Sequence, residues 1–408
     1  MMGRLNRDQE QLFYSFHLDE MVPEDHLVRT IAAVLDLSWV HAELASYYPK
    51  IGRPSIDPVL MIRMLIIGYV FAIRLERGLC REVQVNLAYR WFCGLSIEDK
   101  VPNHSAFSRA RNERFGNSAI FRSVFERVVG ACIGAGLVGG EGFAVDASLI
   151  AADANKRRSI PGSEWNKELY AQQVSRATKE YLATLNDAAF GAASDVTVGA
   201  SKTMIKRTEE RFNIRPEWLA ADTAYGSGAN LNWLVKDKKI TPHIPVIDKS
   251  NRGDGTFNRE DFTFDKERNV YICPAGKILT TTGRLVNDGE TTLLYFASVL
   301  DCRSCLLKAR CCPKMPARRI PRSIYEEARD VARALTKTRA FEQSRRDRKR
   351  VEMLFAHLKR ILRLGRLRLR GPRGAQFEFT LAAIAQNLRR LAKLVARPPP
   401  IAPAPCVT

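Results

Sequence analysis

Long apolar runs are missing from this chain. The longest, Val59–Ile73, has 15 residues and contains Arg63. A membrane helix needs about 20, so this run suits a buried helix instead. A secretory start is also missing, since the first thirty residues are charged throughout. The nine cysteines are an odd number. Without a secretory start they point to a reducing cytoplasm and away from a disulfide framework. Histidine is scarce, and His104, His243 and His357 lack paired ligand spacing, so packing or surface roles are expected for them. Acids are few beside bases: 44 Asp and Glu against 64 Lys and Arg, a net charge of +20. Such an excess favours phosphate backbones as partners. No aromatic-rich RNA-recognition signature accompanies it, which leaves a zinc-stapled RNA-binding protein as the weakest reading.

What is present is a folding chain. Apolar residues make up 46% of its 408 positions, enough for a sizeable core in about two to three domains. The charge is concentrated near the C-terminus. Between Lys314 and Arg373 there are 20 basic and 6 acidic residues, a net of +14. Within 345–373 twelve of 29 positions are Lys or Arg, and one of the two acids is Glu352. Val351, Leu354, Phe355, Leu358, Ile361 and Leu362 recur there at helical spacing. The segment therefore reads as a packed basic helix that draws in a polyanion, with a carboxylate able to hold a cation against it.

The first 130 residues read as short helices joined by Gly and Pro turns. Expected helices cover Asp25–Leu37, Pro58 to about Leu75, Cys80–Cys93 and Ser105–Phe115, the last capped by Asn103 or Ser105. The last of these carries Arg109, Arg111 and Arg114, candidate DNA contacts in a helix-turn-helix-like arrangement. Gly142–Leu149 and Trp218–Asp222 are short apolar runs carrying Asp146 and Asp222. Asp195–Val198 reads as strand, and Thr241–Ile247 as an edge strand because Pro242 and Pro245 lack ladder donors. Residues 250–325 read as loop-rich and hold five cysteines, and helices close the chain at about Phe341–Leu364 and Ala375–Val395 before a proline-rich tail.

Carboxylates at strand ends project from rigid backbone. Three that converge can hold two Mg²⁺ ions about 3.5–4 Å apart, the clamp for in-line displacement at phosphorus. Asp146, Asp222 and Glu352 are the candidates. Arg348, Glu352 and Lys359, at helical offsets of four and seven, share a face. Cys273, Cys302, Cys305 and Cys311 fit a structural Zn²⁺ site that would staple the insertion, with Cys312 as an alternative ligand and unliganded thiols as the bland reading. Cys80, Cys93 and Cys132 lie in apolar helical contexts and read as core.

Three segments carry a resemblance: VDAS around Asp146, ADTAYGS around Asp222 and RKRVEMLFAHLKR around Glu352. In this order they are similar to the signatures of bacterial insertion-sequence DDE transposases, including a subgroup with a Cys-rich insertion before the catalytic Glu. The last signature of that group runs Tyr-(2)-Arg-(3)-Glu-(6)-Lys. Arg348, Glu352 and Lys359 match it, while Arg345 stands where the Tyr would be. The resemblance implies a mixed α+β fold: a helical N-terminal DNA-binding region and an RNase H-like α/β catalytic core interrupted by a Cys-rich insertion. The expected segments are 1–135 for DNA binding, 140–250 and 341–396 for the core, 251–340 for the insertion and 397–408 as a disordered tail. It implies an enzyme that binds terminal inverted repeats and target DNA, cleaves and joins strands with Mg²⁺, uses Arg348 and Lys359 on the DNA, works as a homodimer and sits in the cytoplasm with the nucleoid. In the RNase H-like fold a hairpin of strands two and three lies between the first and second Asp. Only Asp195–Val198 reads as strand there. The alternative expectation is thus an internally shortened transposase remnant that binds DNA sequence-specifically without cutting it.

Overall fold

The computed structural model describes residues 16–49, 51–52, 55–148, 150–152, 193–246, 255–286 and 291–395. In chain order its helices are α1 Leu18–Met21, α2 Leu27–Val34, α3 Val40–Leu44, α4 Pro58–Val70, α5 Glu76–Val85, α6 Leu87–Cys93, α7 His104–Ala110 and α8 Ile120–Gly134. There follow α9 Ala193–Phe212, α10 Gly228–Asn232, α11 Val299–Arg303, α12 Lys308–Cys311, α13 Glu326–Leu335, α14 Arg339–Arg360 and α15 Gly371–Val395. The strands are β1 Gly142–Ala144, β2 Trp218–Ala220, β3 Thr241–His243, β4 Thr263–Asp265, β5 Val270–Ile272, β6 Ile278–Val286, β7 Thr292–Ala297 and β8 Arg319–Ser323. The fold is mixed α+β, as the sequence suggests. No helix among the described residues is long and apolar enough to cross a membrane.

Two compact units divide the chain. One comprises Met1–Gly139, Ser148–Asp187 and Leu354–Thr408, the other Gly140–Ala147 and Ala188–Met353. The expected 341–396 segment is therefore split between them and does not close the catalytic core as a block. The cause is the apolar face of α15: Leu381, Ile384, Ala385 and Leu388 are buried in one core with residues of α2, α4 and α8.

In the first unit α4 is central. Asp57 caps it by accepting from the Leu60 amide at 2.9 Å, and Pro58 occupies the first turn, where a missing amide costs nothing. Its sequence is apolar almost all round, so it is buried on nearly every side. The expected helix over Cys80–Cys93 breaks at Asn86. That side chain accepts from the Tyr89 amide at 3.2 Å and starts a new helix, α6, which ends at left-handed Gly94. Asn103, not Ser105, caps α7. The same chain continues as a wide helical turn over Arg111–Phe115.

In the second unit β1, β2 and β3 form a parallel sheet in that order. Phe143, Val145, Leu219 and Ala221 face a core completed by Leu231, Leu234, Ala328 and Ala332. Asp195–Val198 is not a strand. It lies inside the 20-residue α9, where helix continuity overrides the β-branched local sequence. The awaited hairpin falls mainly on residues 153–192, outside the described residues. Among the described residues between Asp146 and β2 no strand occurs, only a bridge of Ala151 to Arg366. The segment expected to be loop-rich is an antiparallel sheet, β4-β5-β6-β7-β8. Its fully buried residues, Tyr271, Leu279, Tyr295 and Ile320, lie in short strands where the neighbouring positions are also often apolar. That mixture hid the alternation.

A buried ion cluster anchors α13. Glu326 is 1% exposed and meets Arg259 at 2.9 Å, Arg333 at 2.7 Å and Arg329 at 3.4 Å. Burial alone would raise its pKa, but the guanidinium groups outweigh it and hold the carboxyl below its ordinary value. A depressed folded pKa gives stability that is present above the unfolded value and lost as pH falls through the folded one. Glu326→Gln is expected to cost about 3–5 kcal/mol at pH 7. It should also flatten the loss of stability on acidification below about pH 4.5. Urea unfolding of both proteins across pH 3–7 checks this; parallel curves would contradict it.

Candidate active site

The site begins with a glycine. Gly142 of β1 pairs in register with Trp218 of β2. A Cβ on Gly142 would lie 1.9 Å from Cζ2 of the Trp218 indole, so the ring lies across the bare backbone. The indole also stacks on His243 of β3, with centroids 5.3 Å apart and planes at 21°. His243 in turn meets Phe341 of α14 at 6.0 Å. One aromatic stack therefore runs from the first strand, over the second and third, to the helix that carries Glu352.

That stack fixes register, and the register fixes the acids. Ala144 pairs with Ala220, and Ala220 with His243. The ladder continues one step as the Val145 amide donates to the Ala220 carbonyl at 2.9 Å. Asp146 and Asp222 come two residues past a matched pair on strands that lie about 4.8 Å apart. By the two-residue alternation of extended chain they leave the sheet on the Trp218 face, opposite the Phe143, Val145, Leu219 and Ala221 core. Both acids are half-buried. Asp222 caps a short turn through Ala224 at 2.9 Å, and Asp146 accepts from the next amide, Ala147, at 2.9 Å.

Tyr225 follows in the same turn and is 2% exposed. Burial, and after it the carboxylates of Asp222 and Asp146, hold its phenol above the ordinary value. Its hydroxyl thus stands near both acids. Asn230 secures the residue by donating to the Tyr225 carbonyl at 2.9 Å. The ADTAYGS run contained this tyrosine, but only the buried turn gives it a place. His243 has packing for its role, as expected; burial lowers its pKa, and its Nδ1 is buried with no partner among the described residues.

Phe341, Arg348 and Glu352 lie at offsets of seven and eleven, on one face of α14. Glu352 is thus about 16 Å along the helix from the stack. Its side chain is 52% exposed, with Arg348 at 3.7 Å as its ion-pair partner. Among the described residues no three His, Cys, Asp or Glu side chains converge closely enough to hold a metal ion. The two aspartates offer hard oxygen donors of the kind that suit Mg²⁺, and Glu352 stands on α14 without closing on them. Lys359 follows Glu352 by seven on α14 and is half-buried, while Arg345, in the Tyr position of the signature, is exposed.

The candidate DNA-binding arginines separate. Arg109 is exposed. Arg111 is 8% exposed and pairs with Glu76 at 2.5 Å, so its guanidinium is turned inward and the expectation of a phosphate contact is corrected. Arg114 lies over the Tyr48 ring at 4.9 Å. His357 is held by Gln386 at 3.1 Å. Cys80, Cys93 and Cys132 are buried apolar thiols, whereas Cys273, Cys302, Cys305, Cys311 and Cys312 line one pocket of the antiparallel sheet.

Comparison with known families adds two matches. Residues 16–113 match a family model described as a transposase domain, and residues 272–392 match one described as a transposase DDE domain. Together they take in more than half of the chain. The second includes Glu352, Arg348 and Lys359 but begins after Asp146 and Asp222. The place of the aspartates rests on strand register. No curated protein matches the chain, and no solved structure does.

Gly142→Ala is expected to cost about 1–3 kcal/mol, the range for overpacking. Gly139→Ala, where a Cβ meets nothing within 4 Å, should be near neutral. Equal thermal midpoints for these two variants would mean that the indole does not hold β1 to β2.

Proposed function

Because the chain belongs to the DDE transposases of insertion sequences, we propose that it cuts DNA at the ends of a mobile element and joins the freed ends to target DNA. The observation that supports this reading is that Asp146 and Asp222 each come two residues past Ala144 and Ala220, which pair on adjacent parallel strands. In this reading Asp146, Asp222 and Glu352 hold two Mg²⁺ ions. When bound, the ions neutralise charge at the reacting phosphate and acidify water beside it.

The chain's own groups do the rest. Tyr225, fixed by Asn230 and buried in the core with Leu219 and Ala221, anchors the turn that follows Asp222. Arg348 restrains the Glu352 carboxylate in the free protein. An incoming phosphate competes for the Arg348 guanidinium, which forms bidentate pairs with phosphate, and so frees Glu352 to join the aspartates. Lys359, Arg109 and Arg114 add phosphate contacts. Water attacks phosphorus at the element end, and the 3′-oxygen leaves and takes up a proton. The 3′-hydroxyl then attacks a target phosphodiester, and a target 3′-oxygen leaves in its place. A homodimer would hold two ends for this exchange.

A second reading, an end-binding protein without cleavage activity, is favoured by the half-exposed Glu352. It predicts salt-dependent DNA binding and no nicking with any metal. Incubation of the protein with duplexes carrying the DNA that flanks its coding sequence separates the two. The transposase reading predicts Mg²⁺-dependent nicking at the ends, reduced by more than about 100-fold in Asp146→Asn, Asp222→Asn and Glu352→Gln, with DNA binding retained. Cleavage by Glu352→Gln at the unmodified rate would reject its role.

A further inference from the structure

The loop between α14 and α15 has no part in the carboxylate chemistry, yet the first unit ties it down at several points. We propose that this loop, 361–370, is a phosphate grip that holds duplex DNA without regard to sequence, as a target for strand joining requires. Such a grip rests on DNA being the substrate, as in the proposed function, and adds a further surface for it.

Residues 361–374 read ILRLGRLRLRGPRG, with five arginines, no lysine and no acid. Leucine and arginine alternate over much of the loop, and the fold sorts them. Leu362 and Leu364 are fully buried and Leu367 packs against the same core, whereas Arg363, Arg368 and Arg370 are exposed.

The loop backbone is fixed from beneath. The Leu367 amide donates to the Ala151 carbonyl at 2.8 Å. Glu378 of α15 is 1% exposed and accepts from the amides of both Arg368 and Leu369. The same carboxylate pairs with Arg74, whose Nη1 also donates to the Arg363 carbonyl at 3.1 Å. A buried carboxylate is costly unless partners surround it. Here the partners are the loop's own amides and an arginine that also holds the loop. Gly374 completes the seat: a Cβ there would lie 2.7 Å from the Leu369 Cβ, so only a bare backbone lets Leu369 lie this close to α15.

Arg363 is the most telling residue. Its φ of +53° is left-handed, a conformation that suits glycine and strains a side chain. An arginine here costs the fold stability, and its exposed side chain returns none through burial. Its use lies outside the fold. Guanidinium groups pair bidentately with phosphate, and a backbone already held in place has less freedom to lose on binding. No Asn, Gln, Asp or Glu occurs in 361–374 to read base edges, and phosphate contacts carry no sequence information. Arg373 is left out of the grip because it donates to the Gly116 carbonyl at 2.7 Å and to Asn117 Oδ1 at 3.0 Å.

The test measures binding of the full chain, over a range of salt, to one duplex of element-end sequence and one of unrelated sequence. Arg363→Gly should weaken both alike and lower the slope of log affinity against log salt by about 0.9, one phosphate contact. Its thermal midpoint should hold or rise, since glycine relieves the left-handed backbone. Adding Arg368→Ala and Arg370→Ala should lower the slope by about 2.7 in all. Arg303→Ala, at an exposed arginine of α11, should leave the slope unchanged. If the triple variant fails to fold, Arg363→Gly alone supplies the reading. An unchanged slope in folded Arg363→Gly, a loss confined to the element-end duplex, or an equal loss in Arg303→Ala would overturn the grip while leaving DNA as the substrate. Preference for single-stranded RNA over either duplex would overturn the choice of partner. An unmodified chain that binds neither duplex would reject the proposed function and the grip with it.

Discussion

The indole of Trp218 lying on the bare backbone of Gly142 is the constraint on which the rest of the site depends. An aromatic ring packed across a strand pair fills a space that any side chain on Gly142 would occupy. That contact sets β1 against β2 in one register only, because a slip by one residue would turn every side chain to the other face. Two consequences follow from it. Asp146 and Asp222 leave the sheet side by side, and the ring offers its other surface to His243 and through it to Phe341. The three acids sit far apart in sequence, yet each is tied to a member of one stack. Gly142 precedes Asp146 by four residues, Trp218 precedes Asp222 by four, and Phe341 precedes Glu352 by eleven.

Electrostatics gives the stack a task. The α14 helix is dense in arginine and lysine, and its exposed Glu352 carboxylate pairs with Arg348. A polyanion attracted to this surface competes for the same guanidinium. An ion pair this exposed contributes little to stability, so exchanging its partner costs little. In the proposed function phosphate displaces Glu352 from Arg348, whereas the aspartates stay placed by the register of β1 on β2.

Much of this was legible in the sequence, and the limits have physical causes. Asp146, Asp222 and Glu352 stand out as candidates because each follows or interrupts a short apolar run, and Asn103, Gly94 and the Asp57-Pro58 start announced helix ends through ordinary cap chemistry. Asn86 was missed because a side-chain cap inside an apolar helical pattern leaves the periodicity intact. The antiparallel sheet was missed because its few buried residues are spread over short strands without a sustained apolar–polar alternation. Asp195–Val198 misled because valine and threonine favour strands locally, while the helix that contains them is decided over 20 residues. Arg111 looked like its neighbours Arg109 and Arg114, and only the fold could show that Glu76 buries it. His243 and Phe341 have no sequence signal for a shared stack, since their contact depends on how α14 crosses β3.

The central claim is that this stack brings the Glu352 helix to the aspartate pair. Its most direct test is the cleavage rate of Phe341→Ala on the element's own ends, with Mn²⁺ binding measured on the same folded protein. The account predicts a rate lowered by at least about 10-fold, equivalent to about 1.4 kcal/mol at the transition state, with Mn²⁺ still bound through Asp146 and Asp222. A Phe341→Ala protein that cuts at the unmodified rate would contradict it.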